Sequence, residues 1–329
     1  MNSTSRFWSE LSTRNSGALP SLSAENVNAH LRLTTPYRLA SLVLVSLAIG
    51  GCSPAPAPAV YKSSSLAEGE NSHANLVFRS TNTVPKDLSS AEFHGLIING
   101  RVVTRQEYPA LFLADVKHRP DCTGILVGPQ ALLTAAHCVN AGPTQVSIET
   151  ADSKQHSGEC ERADEYDQGR ADIDVALCFF ASPIRIVEYE SVSTEHENLK
   201  IGQTVQLSGF GCNSRQSEGF NVLRIGEARV SALPTTSSAL VVTEGTVLLC
   251  DQDSGGPMYS IVPSAGRFPI RDAVIGVNST VYFNPDNSYI TSLGSPPVVK
   301  FLQTWSGKHQ NAQICGLPGS VSGCRVRGE

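Results

Sequence analysis

The chain has 329 residues, 40% of them hydrophobic and 17% charged, with a formal net charge of −5. This balance fits a soluble globular protein of one large or two medium domains and excludes a fibrous or wholly disordered chain. The acidic excess argues against a nucleic-acid partner, which needs a basic face, and nine cysteines point to an oxidising compartment.

In chain order, the first feature is an apolar run from Leu39 to Gly51, preceded by Arg32 and Arg38. It is short of the roughly 20 residues a bilayer span takes and suits the apolar core of a signal peptide. The stretch ahead of it is long for a signal n-region and points to a start codon further downstream. The run ends Ile49-Gly50-Gly51-Cys52, which resembles the lipobox of bacterial lipoproteins, where the cysteine sulfur receives a diacylglycerol and becomes the new N-terminus. The alternatives are an ordinary signal peptide with an incidental cysteine, or a membrane-spanning anchor. Residues 1–51 are therefore read as a signal-peptide region and Cys52 as the lipidation site, which leaves an even number of cysteines to pair.

Ser53 to Ala59 alternates Pro and Ala, an extended spacer. Residues 60–96 are polar and rich in Ser and Asn. Together, 52–96 are expected to be a lipid-anchored tether and pro-segment with little fold of its own.

From Ile97 onward short apolar runs recur between Gly, Pro, Asn and Asp clusters. They are Leu111–Val116, Gly124–Val127, Gln145–Ile148, Val175–Phe180, Thr204–Leu207, Leu240–Thr243 and Ala273–Phe283. Many short strands with frequent turns predict an all-β barrel or sandwich. Only Pro296–Trp305 reads as a helix, its prolines in the first turn. A Cys-containing tail, 309–329, follows.

Three motifs carry chemistry. In the first, Leu132-Leu133-Thr134-Ala135-Ala136-His137-Cys138, with Cys122 upstream in Cys-Thr-Gly-Ile-Leu, a histidine of near-neutral pKa can take a proton from a hydroxyl nucleophile and return it to a leaving group. The string resembles the histidine loop of the chymotrypsin/trypsin family of serine proteases. The second is Asp172-Ile173-Asp174-Val175-Ala176-Leu177; the family's Asp-x-Ala-Leu selects Asp174, with Asp172 as rival. The third is Cys250-Asp251-Gln252-Asp253-Ser254-Gly255-Gly256-Pro257, which resembles the family's nucleophile loop.

The resemblance covers roughly residues 97–305, in the family's order His, Asp, Ser. It implies two six-stranded antiparallel β-barrels with the active site between them, a short C-terminal helix, and a protease domain over 97–308. It implies His137 as base, Asp174 as its orienting partner and Ser254 as nucleophile, with the amides of Gln252 and Ser254 as oxyanion hole. The disulfides it suggests are Cys122–Cys138 and, on looser grounds, Cys212–Cys250, Cys160–Cys178 and Cys315–Cys324. No cofactor or metal is implied. The partner is a peptide or protein substrate, and the protein is a monomer touching membrane only through a lipid on Cys52. Its expected location is the bacterial cell envelope, periplasmic or at the cell surface.

The pattern also departs from the family. Gln252 stands where a Gly is usual, a position whose backbone geometry is easiest for Gly, which favours a second reading as a catalytically silent homologue that binds peptides. Leu248, at the expected base of the substrate pocket, suggests a small or apolar side chain at the cleavage position. Gly276-Val277-Asn278-Ser279 resembles the strand that pairs with substrate, placing Ser279 near Asp174, with Asn278 as rival. Ile97-Ile98-Asn99-Gly100 resembles the mature N-terminus of the family, whose freed ammonium pairs with an acid, here Asp253. Leu96 before it is not a trypsin-type cleavage residue. Such a cut is expected to release the domain from its lipid, since no cysteine in 53–96 bridges the two pieces.

Overall fold

A computed structural model describes residues 76–80, 97–116, 119–195, 198–262, 270–318 and 324. The signal-peptide region, Cys52 and the Pro-Ala spacer lie outside these residues.

Strands form where alternate side chains can be buried. Over Thr144–Glu149, Val146 and Ile148 turn inward while Gln145 faces solvent. The first barrel is built from β1 (Leu76–Arg79), β3 (Leu111–Val116), β4 (Arg119–Gly128), β5 (Ala131–Thr134), β6 (Thr144–Glu149), β7 (Gln155–Arg162) and β8 (Ala176–Phe180), and closes in the order β1-β3-β4-β5-β8-β7-β6. Between β1 and β3 comes β2 (Arg101–Val102). The second barrel uses β9 (Thr204–Gly209), β10 (Arg224–Ala232), β11 (Leu240–Glu244), β12 (Pro257–Val262), β13 (Ile270–Phe283) and β14 (Asp286–Ser292). Its order is β11-β14-β13-β12-β9-β10, closed by the β10–β11 pairing, with β2 added beside β10. A short helix α1 (Asp164–Asp167) precedes β8, and the expected C-terminal helix, α2, spans Pro296–Lys308.

The two-barrel architecture matches the expectation, with one difference. The first barrel has seven strands, because β1, from within the stretch read as a tether and pro-segment with little fold of its own, inserts between β3 and β6. It runs antiparallel to β3 and parallel to β6. The physical reason is burial: Leu76 and Phe78 alternate inward and are almost wholly covered. The tail is likewise part of the folded unit. Ala312, Ile314 and Cys315 are buried, and Cys315 exchanges backbone hydrogen bonds with Val127 and Val192.

Each barrel has its own apolar filling, and a larger cluster lies where they meet. There Leu111, Ile125 and Leu177 of the first barrel join Ile225 and Val277 of the second and Leu302 and Trp305 of α2. Near this seam an ion pair is fully enclosed: Arg271 holds Glu190 at 3.0 Å, donates to the Glu107 carbonyl at 2.8 Å and lies 3.9 Å from the centre of the Tyr108 ring. Removing one partner leaves a buried charge uncompensated. Arg271→Ala should therefore cost about 3–5 kcal/mol, read as a lowered urea midpoint, whereas Arg271→Met combined with Glu190→Leu should cost much less.

Candidate active site

β5 runs into a single 3-10 turn, Ala136–Cys138, that carries His137. The Cys122–Cys138 disulfide ties this turn to β4. Asp174, just ahead of β8, is buried. Its carboxylate accepts the His137 backbone N–H at 2.9 Å, the His137 ring Nδ1–H at 2.6 Å and the Ser279 hydroxyl at 2.6 Å. Burial pushes this carboxyl up, but the charge of His137 and these hydrogen bonds outweigh it and hold the pKa below the usual carboxylate value. For His137 the balance is reciprocal. Burial opposes the imidazolium, yet the charge and hydrogen bond of Asp174 prevail and the pKa lies above the ordinary histidine value. With Nδ1 donating to Asp174, the neutral ring presents Nε2 as an acceptor.

Ser254 lies on the turn before β12. Thr123, the residue after Cys122, staples this turn from the first barrel. Its N–H donates to the Ser254 carbonyl at 2.7 Å and its hydroxyl to the Gln252 carbonyl at 2.9 Å. Gly255 has φ +84°, and a Cβ there would collide with the Thr123 carbonyl. Gln252 sits at φ +77°, a left-handed conformation that costs a side-chain-bearing residue on the order of 1–3 kcal/mol. Among the described residues the N–H groups of Gln252 and Ser254 donate to no acceptor. The Ser254 hydroxyl donates at 3.1 Å to the carbonyl of Ser279, not to His137. Ser279 thus touches both sides of the site, the acid through its hydroxyl and the serine through its carbonyl. Rotation about one side-chain bond separates this resting position of Ser254 from others.

The rival residues are placed elsewhere. Asp172 is held by Arg170 at 2.8 Å and accepts the Ala239 N–H. Asn278 points away from Asp174, its amide donating to the carbonyls of Ser208 and Asp253; a bulge between Asn278 and Thr280 locally shifts the strand register. Leu248 is buried with Ile98, Cys212 and Cys250 in a small apolar cluster. Ile97 is buried inside the second barrel near Val205 and Leu249. The disulfides are Cys122–Cys138, Cys160–Cys178, Cys212–Cys250 and Cys315–Cys324. Cys122 and Cys138 lie close to His137, but their sulfurs are joined to each other and offer no thiolate to a metal.

Asp253 is fully buried and accepts the N–H groups of Gly211 at 2.8 Å and Cys250 at 2.9 Å. Burial pushes its carboxyl up to about 7, against those two bonds and the field of Arg224. Among the described residues no cation lies within ion-pair distance of it. Arg224, itself buried, donates to the carbonyls of Gly211 and Val222. Thr123 and Asn278 brace the serine turn; Asn278 was named in the sequence only as a rival to Ser279, and Thr123 and Arg224 did not stand out there. The signal for Thr123 was its place directly after Cys122.

A family model described as trypsin matches residues 97–293, more than half of the chain. The chain belongs to the trypsin family. Curated relatives include Trypsin 5G1 of Aedes aegypti, 25% identical in an alignment of 194 positions that covers 50% of this chain and 71% of that protein. A trypsin of Simulium vittatum is 28% identical in an alignment of 163 positions that covers 42% of this chain and 65% of the relative. A bacterial trypsin, from Saccharopolyspora erythraea, is 24% identical in an alignment of 204 positions that covers 56% of this chain and 86% of that one. Membership of the trypsin family makes this a serine-type hydrolase of the protease class, and the four disulfides agree with the export typical of that family.

The paired shifts of His137 and Asp174 set a pH dependence. In Ser254→Ala protein, the His137 ring should titrate above the ordinary value of about 6.5, followed by NMR. Adding Asp174→Asn removes the raising influence and leaves burial, so the midpoint should fall below that value.

Proposed function

We propose that this protein is a serine endopeptidase that cleaves peptide bonds through an acyl-enzyme, with Ser254 as nucleophile, His137 as general base and then acid, and Asp174 holding the imidazole. The observation that carries this reading is the hydrogen-bonded set of His137, Asp174 and Ser279, with Ser254 bound to the Ser279 carbonyl. In the reaction the Ser254 hydroxyl turns to Nε2 of His137, loses its proton there and attacks the carbonyl carbon. The oxyanion is received by the unspent N–H groups of Gln252 and Ser254, and the proton passes to the leaving amine. The neutral imidazole is the active base, so activity rises with pH through the raised His137 midpoint. A small or apolar substrate side chain is proposed from Leu248, which is buried in an apolar cluster with Ile98, Cys212 and Cys250.

The second reading, a silent homologue that binds peptides through the same cleft, draws on the left-handed Gln252 and on a Ser254 hydroxyl turned away from His137. A fluorophosphonate probe separates the two. Stoichiometric labelling, lost in Ser254→Ala, supports the enzyme; no labelling of the wild type supports the binder. If Gln252 strains the oxyanion turn, Gln252→Gly should raise kcat more than it changes KM.

A cut before Ile97 is proposed as the activating step. Two features support it. The β-branched Ile97 has φ +44°, a strained geometry that ceases to exist once Ile97 begins a chain. Among the described residues the buried Asp253 also has no cation within ion-pair distance, and a freed ammonium would supply one. N-terminal sequencing of the most active species should return Ile97, and Asp253→Asn should keep the fold but lose most activity. Attachment to a bacterial envelope through a lipid on Cys52 is proposed from the Ile49–Cys52 pattern; mass spectrometry should find a diacylated Cys52, absent in Cys52→Ala.

A further inference from the structure

We propose that the groove between β3 and β6 of the first barrel is a docking site for one segment of this chain, Leu76–Arg79, and that this segment stays seated when the chain is cut before Ile97. The biological consequence rests on the activating cut proposed above; the seating itself does not.

β1 is held on both edges. Leu76 to Arg79 pair with Val116 to Leu113 on one side and with Val146 to Glu149 on the other, and the Ser80 N–H continues the ladder to the Glu149 carbonyl at 3.0 Å. Its inward side chains are core. Phe78 belongs to the apolar filling of the barrel together with Phe112, Leu126 and Ile148. Room for its ring is made by Gly124, where a Cβ would stand only 2.7 Å from two ring carbons. At the end of the strand Arg79 pairs with the buried Asp115 at 2.9 Å and reaches Glu149 at 3.7 Å.

Removing β1 would open a closed barrel along two strand edges, empty the space beside Gly124 and leave Asp115 enclosed without its guanidinium. Each of these opposes dissociation. A pro-segment lying on the surface through polar contacts would face none of them. A cut before Ile97 breaks one peptide bond within the connection from β1 to Ile97 and touches neither ladder. Activation therefore yields a two-piece protein. Anything attached upstream of Leu76, including a lipid on Cys52, stays with the catalytic unit, contrary to the release expected from the cysteine positions alone.

The test uses the full chain carrying Ser254→Ala, so that neither self-cleavage nor activity enters. A recognition sequence for a site-specific protease is inserted between Ser89 and Ser90 and cut in the purified protein. The two pieces should co-elute on native size exclusion and separate in denaturant, and Phe78→Ala should weaken retention of the N-terminal piece at least tenfold. Native separation of the parent pieces overturns the proposal. So does retention of the Phe78→Ala piece equal to the parent, which would mean that something other than β1 holds it. If Phe78→Ala does not fold, Arg79→Asp, which faces like charges at Asp115 and Glu149, is read the same way. Because no hydrolysis by this protein is measured, failure here leaves the peptidase reading standing, and the reverse.

Discussion

The site depends on a carboxylate kept ionised while enclosed. Asp174 is removed from water and would ordinarily take up a proton. It does not, because two groups of His137 and the hydroxyl of Ser279 all donate to it. Those bonds fix the ring, choose the nitrogen that faces the serine and tie the histidine turn of one barrel to β13 of the other. The large apolar seam between the barrels supplies the enclosure, and the carboxylate supplies the alignment across it.

Asp253, the other buried acid of the site, shows the opposite balance. With a folded pKa of about 7 against an ordinary carboxylate value of 3.8, it holds its proton in the fold after the unfolded chain has lost it. Stability therefore declines as pH rises from the lower value to the higher, by on the order of 4 kcal/mol in all. The acid beside the nucleophile is thus a liability near neutral pH until a cation reaches it. Arg224 lies close enough to oppose the shift, but the hydrogen bonds of its Nη1 go to the Gly211 and Val222 carbonyls.

Much of this was legible in the sequence, for reasons that differ by element. The strands read correctly are those with apolar or β-branched runs, such as Leu111–Val116 and Leu240–Thr243. β7, Gln155–Arg162, escaped because little of it is buried and its residues are polar on both faces. β14, Asp286–Ser292, escaped because its buried positions are Ser and Thr as well as Ile. At the site, His137, Asp174 and Ser254 stand in short distinctive strings. The residues that brace them act through backbone atoms across the fold. Thr123 meets Gln252 and Ser254 from the far barrel, so no spacing in the chain announces it, and Asn278, named in the sequence only as a rival to Ser279, meets Asp253 through a carbonyl instead. β1 was hidden by its surroundings: four residues with two inward apolar side chains, set in a long polar stretch, fall below what periodicity can distinguish.

The seventh strand also bears on where this protein can be divided. The family match begins at Ile97 and ends at Leu293, and those limits invite a gene trimmed to them for expression. Its product would lack a stave of the first barrel, the whole of α2 and the Ile314–Cys315 segment that lies against β4. Such a fragment would expose two unpaired strand edges beside an apolar hollow, the condition that drives chains to pair with one another. Among the described residues, the smallest piece that keeps every buried partner runs from Leu76 through the Cys315–Cys324 disulfide.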